Sequence, residues 1–86
     1  MNEEKFREYL TKTNHTEKSI ISRISRLKKI EKLFQLNIDS IIYNKIEVVE
    51  LLNKIKAIDT KNQNLSNALR KYYECVTNNK IFKENL

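Results

Sequence analysis

The sequence contains no glycine and no proline, one cysteine and one histidine. Each shortage removes a class of structure or chemistry. Tight β-hairpins draw on Gly, Asn-Gly or Pro for their turns, so a strand-rich domain of this size would lack its connections. Long helices joined by short polar loops need less of this punctuation, and Asn and Asp must then supply the turns. Without glycine no Gly-rich phosphate loop can be built. Cys75 alone can form neither an intrachain disulfide nor a thiolate metal site; its setting, Tyr72-Tyr73-Glu74-Cys75-Val76, reads as a small core residue on a helix. His15 falls between two helical segments with no ligand-like neighbour, and reads as a surface or capping residue. No apolar run approaches membrane-spanning length, and the start Met1-Asn2-Glu3-Glu4-Lys5-Phe6 is not a signal peptide. The expectation is a cytoplasmic chain that is not an enzyme, with no cofactor, no metal, no membrane partner and no small-molecule substrate.

What is present fits one small domain. The chain has 86 residues, 40% apolar and 33% charged, inside the globular range. Its net charge is +6, from 17 Lys and Arg against 11 Asp and Glu. That excess points to an anionic partner: nucleic acid, an acidic protein surface or anionic lipid. The abundance of Lys, Asn and Ile also matches an AT-rich genome, which accounts for part of the lysine without any function.

Apolar spacing predicts four helices. The first runs from about Asn2 to Thr11, with Phe6, Tyr9 and Leu10 on one face and Glu3 and Glu4 in its first turn. The second runs from about Thr16 to Gln35, with Ile20, Ile24, Leu27, Ile30 and Phe34 as its stripe, Ile21 and Leu33 at the margins, and Thr16 or Asn14 as cap. Asn37 to Ser40 reads as a turn, with Ile41 and Ile42 dipping into the core. The third, about Lys45 to Ile58, carries Val48, Leu51, Leu52, Ile55 and Ile58 and is capped by Asn44 with Glu47 three residues on. The fourth begins near Asn62 to Asn64 and ends near Thr77, with Leu65, Leu69, Tyr72 and Val76 as its stripe. The predicted fold is an all-α, compact four-helix bundle over residues 1–78, with 79–86 as a tail or the start of a linker.

A wheel of the second helix separates its charges. Lys18, Ser22, Ser25, Arg26, Lys29 and Lys32 fall away from the apolar stripe, while Glu17 and Glu31 fall on the other flank. Cations attract phosphate and serine hydroxyls can donate to the same oxygens. A smaller patch on the fourth helix holds Ser66, Asn67, Arg70 and Lys71, with Tyr73 at its flank. There Arg70 is suited to bidentate contact or, alternatively, to an ion pair with Glu74. Tyr9, Tyr72 and Tyr73 sit on or beside apolar stripes and read as core and rim aromatics. The candidate nucleic-acid contacts are Lys18, Ser22, Arg23, Arg26, Lys29, Ser66, Arg70 and Lys71. The competing reading of both faces is plain solvated surface.

With those residues placed, Phe6-x-x-Tyr9-Leu10, Thr16-Glu17-Lys18-Ser19-Ile20, Leu27, Leu33-Phe34 and the later run Leu65 to Tyr73 resemble the N-terminal core-binding (SAM-like) domain of tyrosine recombinases, the phage integrases. The resemblance spans roughly residues 3–77. It implies a four-helix domain that clamps one side of a DNA duplex through its second and fourth helices. It also implies that strand cleavage in DNA recombination would belong to a separate catalytic domain. The alternative partner is an acidic or nucleic-acid-binding host protein, with the chain as a stand-alone phage or mobile-element inhibitor of the anti-CRISPR type. A third option is homodimerisation through Ile81-Phe82.

Overall fold

In the computed structural model, which describes residues 1–59 and 63–81, all regular structure is helical: α1 Glu3–Lys12, α2 Glu17–Phe34, a single 3-10 turn Ile38–Ser40, α3 Lys45–Ile58 and α4 Asn64–Thr77. The four helices form a compact bundle with a Cα radius of gyration of 12.0 Å, close to the ~12 Å expected for a globule of this length.

Each of the first three helices starts on a side-chain cap. Asn2 accepts from the Lys5 amide, Thr16 from the Ser19 amide, and Asn44 from the amides of Ile46 and Glu47. Each cap satisfies a backbone donor that the helix itself leaves unpaired. Thr16, not Asn14, caps α2, and Asn14 instead takes the left-handed conformation at φ 66° in the loop before it. In a chain without glycine, the left-handed positions among the described residues fall on Asn14, Gln35 and Asn78. Asn tolerates this region; Gln35, closing α2, does so at a steric cost.

α4 is the centre of the bundle. It contacts the other three helices, α2 most extensively, and buries Leu65, Ser66, Ala68, Leu69, Tyr72, Tyr73 and Cys75. Around it pack Phe6 and Leu10 of α1, Ile20, Ile24, Leu27 and Ile30 of α2, and Val48, Leu51, Leu52 and Ile55 of α3. Each large apolar side chain fully withdrawn from water contributes about 1.5–3 kcal/mol. Phe6 meets Tyr72 edge to face at 5.3 Å. Ile38 and Ile42 close the core beneath the 3-10 turn, whereas Ile41 is only half-buried. Cys75 is buried, as its context predicts, and burial pushes its thiol pKa up.

Several apolar positions differ from the sequence reading. Ile21, Leu33 and Ile58 are 53%, 49% and 58% exposed, because each lies beyond the arc of its helix that α4 covers. Past α4 the chain turns at the left-handed Asn78 and returns Ile81 to the core at 5% exposure. The packed unit therefore extends through Ile81, three residues past the expected boundary at 78. Ile81 serves the chain's own core; its expected dimerisation partner Phe82 lies outside the described residues.

Candidate nucleic-acid interface

Burial on three sides leaves α4 one narrow outward strip. Asn67, Arg70, Lys71 and Glu74, at helical spacings of three and four, are its half-buried residues beside α2. Together with Arg23 of α2 and Lys80 and Ile81 after the Asn78 turn, they line an open cavity of about 230 Å³. Four cationic side chains thus meet one carboxylate. Glu74 is shared: Lys71 Nζ lies 3.6 Å and Lys80 Nζ 3.8 Å from its two oxygens, and the Tyr9 phenol is close enough to feel its charge. Burial and that carboxylate raise the Tyr9 pKa to about 12. The expected Arg70–Glu74 pair is replaced by a bond from Arg70 Nη2 to Asn67 Oδ1. Burial lowers the Arg70 pKa.

Arg23 is the unusual member. It follows Ile20 by three residues and precedes Leu27 by four, so it shares the core-facing side of α2 rather than the outer basic face. Its Nε and Nη1 are buried without a hydrogen-bond partner among the described residues. Burial, and then the like charge of Arg26 one turn on, both disfavour the guanidinium and lower its pKa. Nearly all buried polar groups in folded proteins are paired, so two orphaned donors on one charged side chain single Arg23 out as a candidate anion contact.

A second open hollow of about 400 Å³ lies further along α2. Arg26 and Lys29 stand on its rim over Leu33, Ile58 and Leu65, with Asp59 and Asn64 opposite. Its two cations have no ion-pair partner among the described residues. By contrast, Lys28 on the other flank of α2 is held by Glu3 at 2.8 Å, Arg7 pairs with Glu17, and the Glu31 carboxylate accepts from the Ile38 amide. Glu3, Glu17 and Glu31 are thus engaged on the α1 side and at the 3-10 turn, which leaves Asp59 as the one carboxylate among the described residues lining the hollow.

The eight candidate contacts therefore divide. Arg23, Arg70 and Lys71 converge on one cavity, and Arg26 and Lys29 on the second hollow. Lys18 and Ser22, the first exposed and the second half-buried, line neither. Ser66 does not belong to the surface: at 7% exposure it is enclosed in the bundle, since its side of α4 is covered as completely as the apolar stripe. Ser25 lies toward α1 beside Glu3 and Lys28. Lys80 was missed, because a lysine after the last predicted helix carries no periodicity. The apolar Ile81 three residues past Asn78 was the available signal that the chain returns.

His15 sits half-buried in the loop between α1 and α2, its Nδ1 3.0 Å from the Thr13 hydroxyl. Among the described residues no group of three or more His, Cys, Asp or Glu is placed to hold a metal ion, and no helix is long and apolar enough to cross a membrane. Compared with protein-family profiles, curated proteins and solved structures, the chain has no match.

Proposed function

We propose that this chain binds double-stranded DNA by its backbone, through the groove between α2 and α4, and performs no chemistry on it. The observation that carries the reading is the convergence of Arg23, Arg70, Lys71 and Lys80 on one cavity, with Arg26 and Lys29, which have no ion-pair partner among the described residues, lining a second hollow further along α2. Phosphate contacts by Lys and Arg supply most of the affinity of non-specific DNA binding. The longest extent of the molecule, 29 Å, covers about eight base pairs at ~3.4 Å each. A unit of that size lies along one side of a duplex, in keeping with the resemblance to an integrase core-binding domain. Titration of a labelled duplex tests the reading. Arg26→Ala, Lys29→Ala and Arg70→Ala should each weaken binding, and absence of binding at low salt would end it.

A second reading is favoured by one observation. Leu33 and Ile58 remain exposed beside Arg26 and Lys29, an apolar floor with a cationic rim suited to an acidic protein. In that case the chain would act as an inhibitor or regulator of a host protein. Duplex DNA competing with a captured acidic partner would place both on this one groove.

A further inference from the structure

We propose that the cavity between Arg23, Arg70, Lys71 and Lys80 is a discrete phosphate seat that receives a single phosphate group, rather than an undifferentiated stretch of basic surface. The proposal deepens the DNA-binding reading and names the chemistry of one subsite within it.

Three features set this cavity apart from the rest of the positive surface. The first is the state of Arg23. Lysines on an exposed helix face satisfy their donors with water at no cost, but Nε and Nη1 of Arg23 are withdrawn from solvent and have no partner among the described residues. A guanidinium presents two bidentate edges, Nε with Nη2 and Nη1 with Nη2, and each matches two oxygens of a phosphate. The two orphaned nitrogens belong to different edges. Nη2 is not among the buried nitrogens, so an anion in the cavity that Arg23 lines would meet it first, and Nε or Nη1 would join as a second donor once the side chain moves outward to the ligand.

The second feature is the set of groups around it. Arg70 presents a guanidinium already oriented by its bond to Asn67, and Lys71 and Lys80 line the same cavity beside Glu74. Planar forks that fix geometry, joined by ammonium groups that add charge, are the donor set a tetrahedral dianion needs. A cavity of about 230 Å³ has room for one phosphate group with its water.

The third feature is Glu74. Its carboxylate is an internal stand-in for the anion: it takes Lys71 and Lys80 at 3.6 and 3.8 Å, longer than the 2.7–2.9 Å of a well-formed charge-assisted bond. These two ammonium groups are loosely held and free to turn to a stronger acceptor. Glu74 therefore opposes occupation of the seat, and neutralising it should strengthen binding. A basic face without a built seat would show no such specific competitor.

The phosphate has two possible sources, an internal diester of a DNA backbone or a terminal monoester, and the experiment separates them. The probe is inorganic phosphate, compared with chloride at matched ionic strength. Thermal melting is followed together with the Arg23 Nε resonance in a 1H–15N spectrum of the intact chain. Phosphate should raise the melting temperature and shift the Arg23 Nε signal. Arg23→Met should lose at least tenfold in phosphate affinity, and Glu74→Gln should gain several-fold. No protection beyond chloride, an unmoved Nε signal in the wild-type chain, or equal protection of Arg23→Met would overturn the seat.

Duplexes with and without a 5′-phosphate then identify the source. Tighter binding of the phosphorylated duplex assigns the monoester. Equal binding of the two, weakened in Arg23→Met, assigns the backbone diester. Phosphate protection without duplex binding leaves the seat standing and removes the DNA reading. Duplex binding indifferent to Arg23, with no phosphate protection, does the reverse.

Discussion

Tyr72 donates its phenol hydrogen bond to Asp39 at 2.6 Å, across 33 residues of chain, and so pins α4 to the 3-10 turn. The same oxygen of Tyr72 accepts the Asn2 amide at 2.8 Å, while the other Asp39 oxygen lies 2.8 Å from the Met1 ammonium. Three distant parts of the chain are thereby fastened at one end of the bundle, opposite in role to the cationic cavity: here the ammonium, the phenol and the carboxylate partner one another.

Tyr72→Phe should therefore destabilise the fold while keeping the edge-to-face packing on Phe6. Loss of a bond to a carboxylate, with the Asn2 amide left unpaired, should cost about 1–3 kcal/mol. The melting temperature should fall by roughly 5–15 °C for a domain of this size. Chemical denaturation compared with wild type gives the number, and an unchanged midpoint would show that the network is ornamental.

Stability should decline at both ends of the pH scale. Burial alone would raise the Asp39 carboxyl, but the Met1 ammonium and the Tyr72 hydroxyl outweigh it and hold the group below its usual range. A folded-state value below the unfolded one, about 3.9, means the contribution is intact above pH ~4 and is lost as pH falls further. The Tyr9 pKa, raised to about 12 first by burial and then by Glu74, acts in the opposite direction. Its contribution is intact below the unfolded value of about 10 and is lost as pH rises toward 12. Denaturation midpoints across pH should show both limbs. Tyr9→Phe should make the alkaline limb shallower, with the remainder carried by Tyr72 and Cys75, whose pKa values burial also raises, and leave the acid limb in place.

Gln35→Gly should stabilise the chain. A residue bearing Cβ pays about 1–2 kcal/mol in the left-handed region, and the greater freedom of glycine in the unfolded chain returns part of that gain. A net increase of ~0.5–1 kcal/mol is expected, against little or none for Asn78→Gly, where Asn already tolerates this conformation. Equal responses at the two positions would contradict the steric account.

Arg23→Met should make the protein more stable and less able to bind. Methionine fits the apolar surroundings that Arg23 shares with Ile20 and Leu27 and removes two unpaired buried donors, a gain of about 1 kcal/mol or more. Duplex affinity should fall at the same time. Opposite signs in the two assays identify a residue kept for binding; a stability loss would make Arg23 part of the scaffold.

The helices were legible in the sequence because each obeys local rules: caps at Asn2, Thr16 and Asn44 and apolar stripes at spacings of three and four. The site was legible only in part. A helical wheel marks which side of α2 is charged but not which neighbour lies against it. The true cavity gathers Arg23 from the apolar side of that wheel, and Lys80 from beyond the last predicted helix. Ser66 shows the converse, a polar residue that a wheel assigns to the surface and the central position of α4 encloses. Gln35 escaped notice for a related reason: where Asn is the expected left-handed residue, a longer side chain gives no local sign of that conformation. Ser66→Ala should accordingly leave duplex affinity unchanged, while Arg70→Ala weakens it.

The central claim is that the α2/α4 groove binds duplex DNA through its phosphates. The most direct measurement is the salt dependence of duplex affinity by fluorescence anisotropy, for the wild-type chain and for Arg26→Ala and Arg70→Ala. Engagement of four to six phosphates predicts a log–log slope of about −3.5 to −5.5, made shallower by roughly one in each variant. No duplex binding at the lowest salt, or a slope that neither substitution changes, would contradict it.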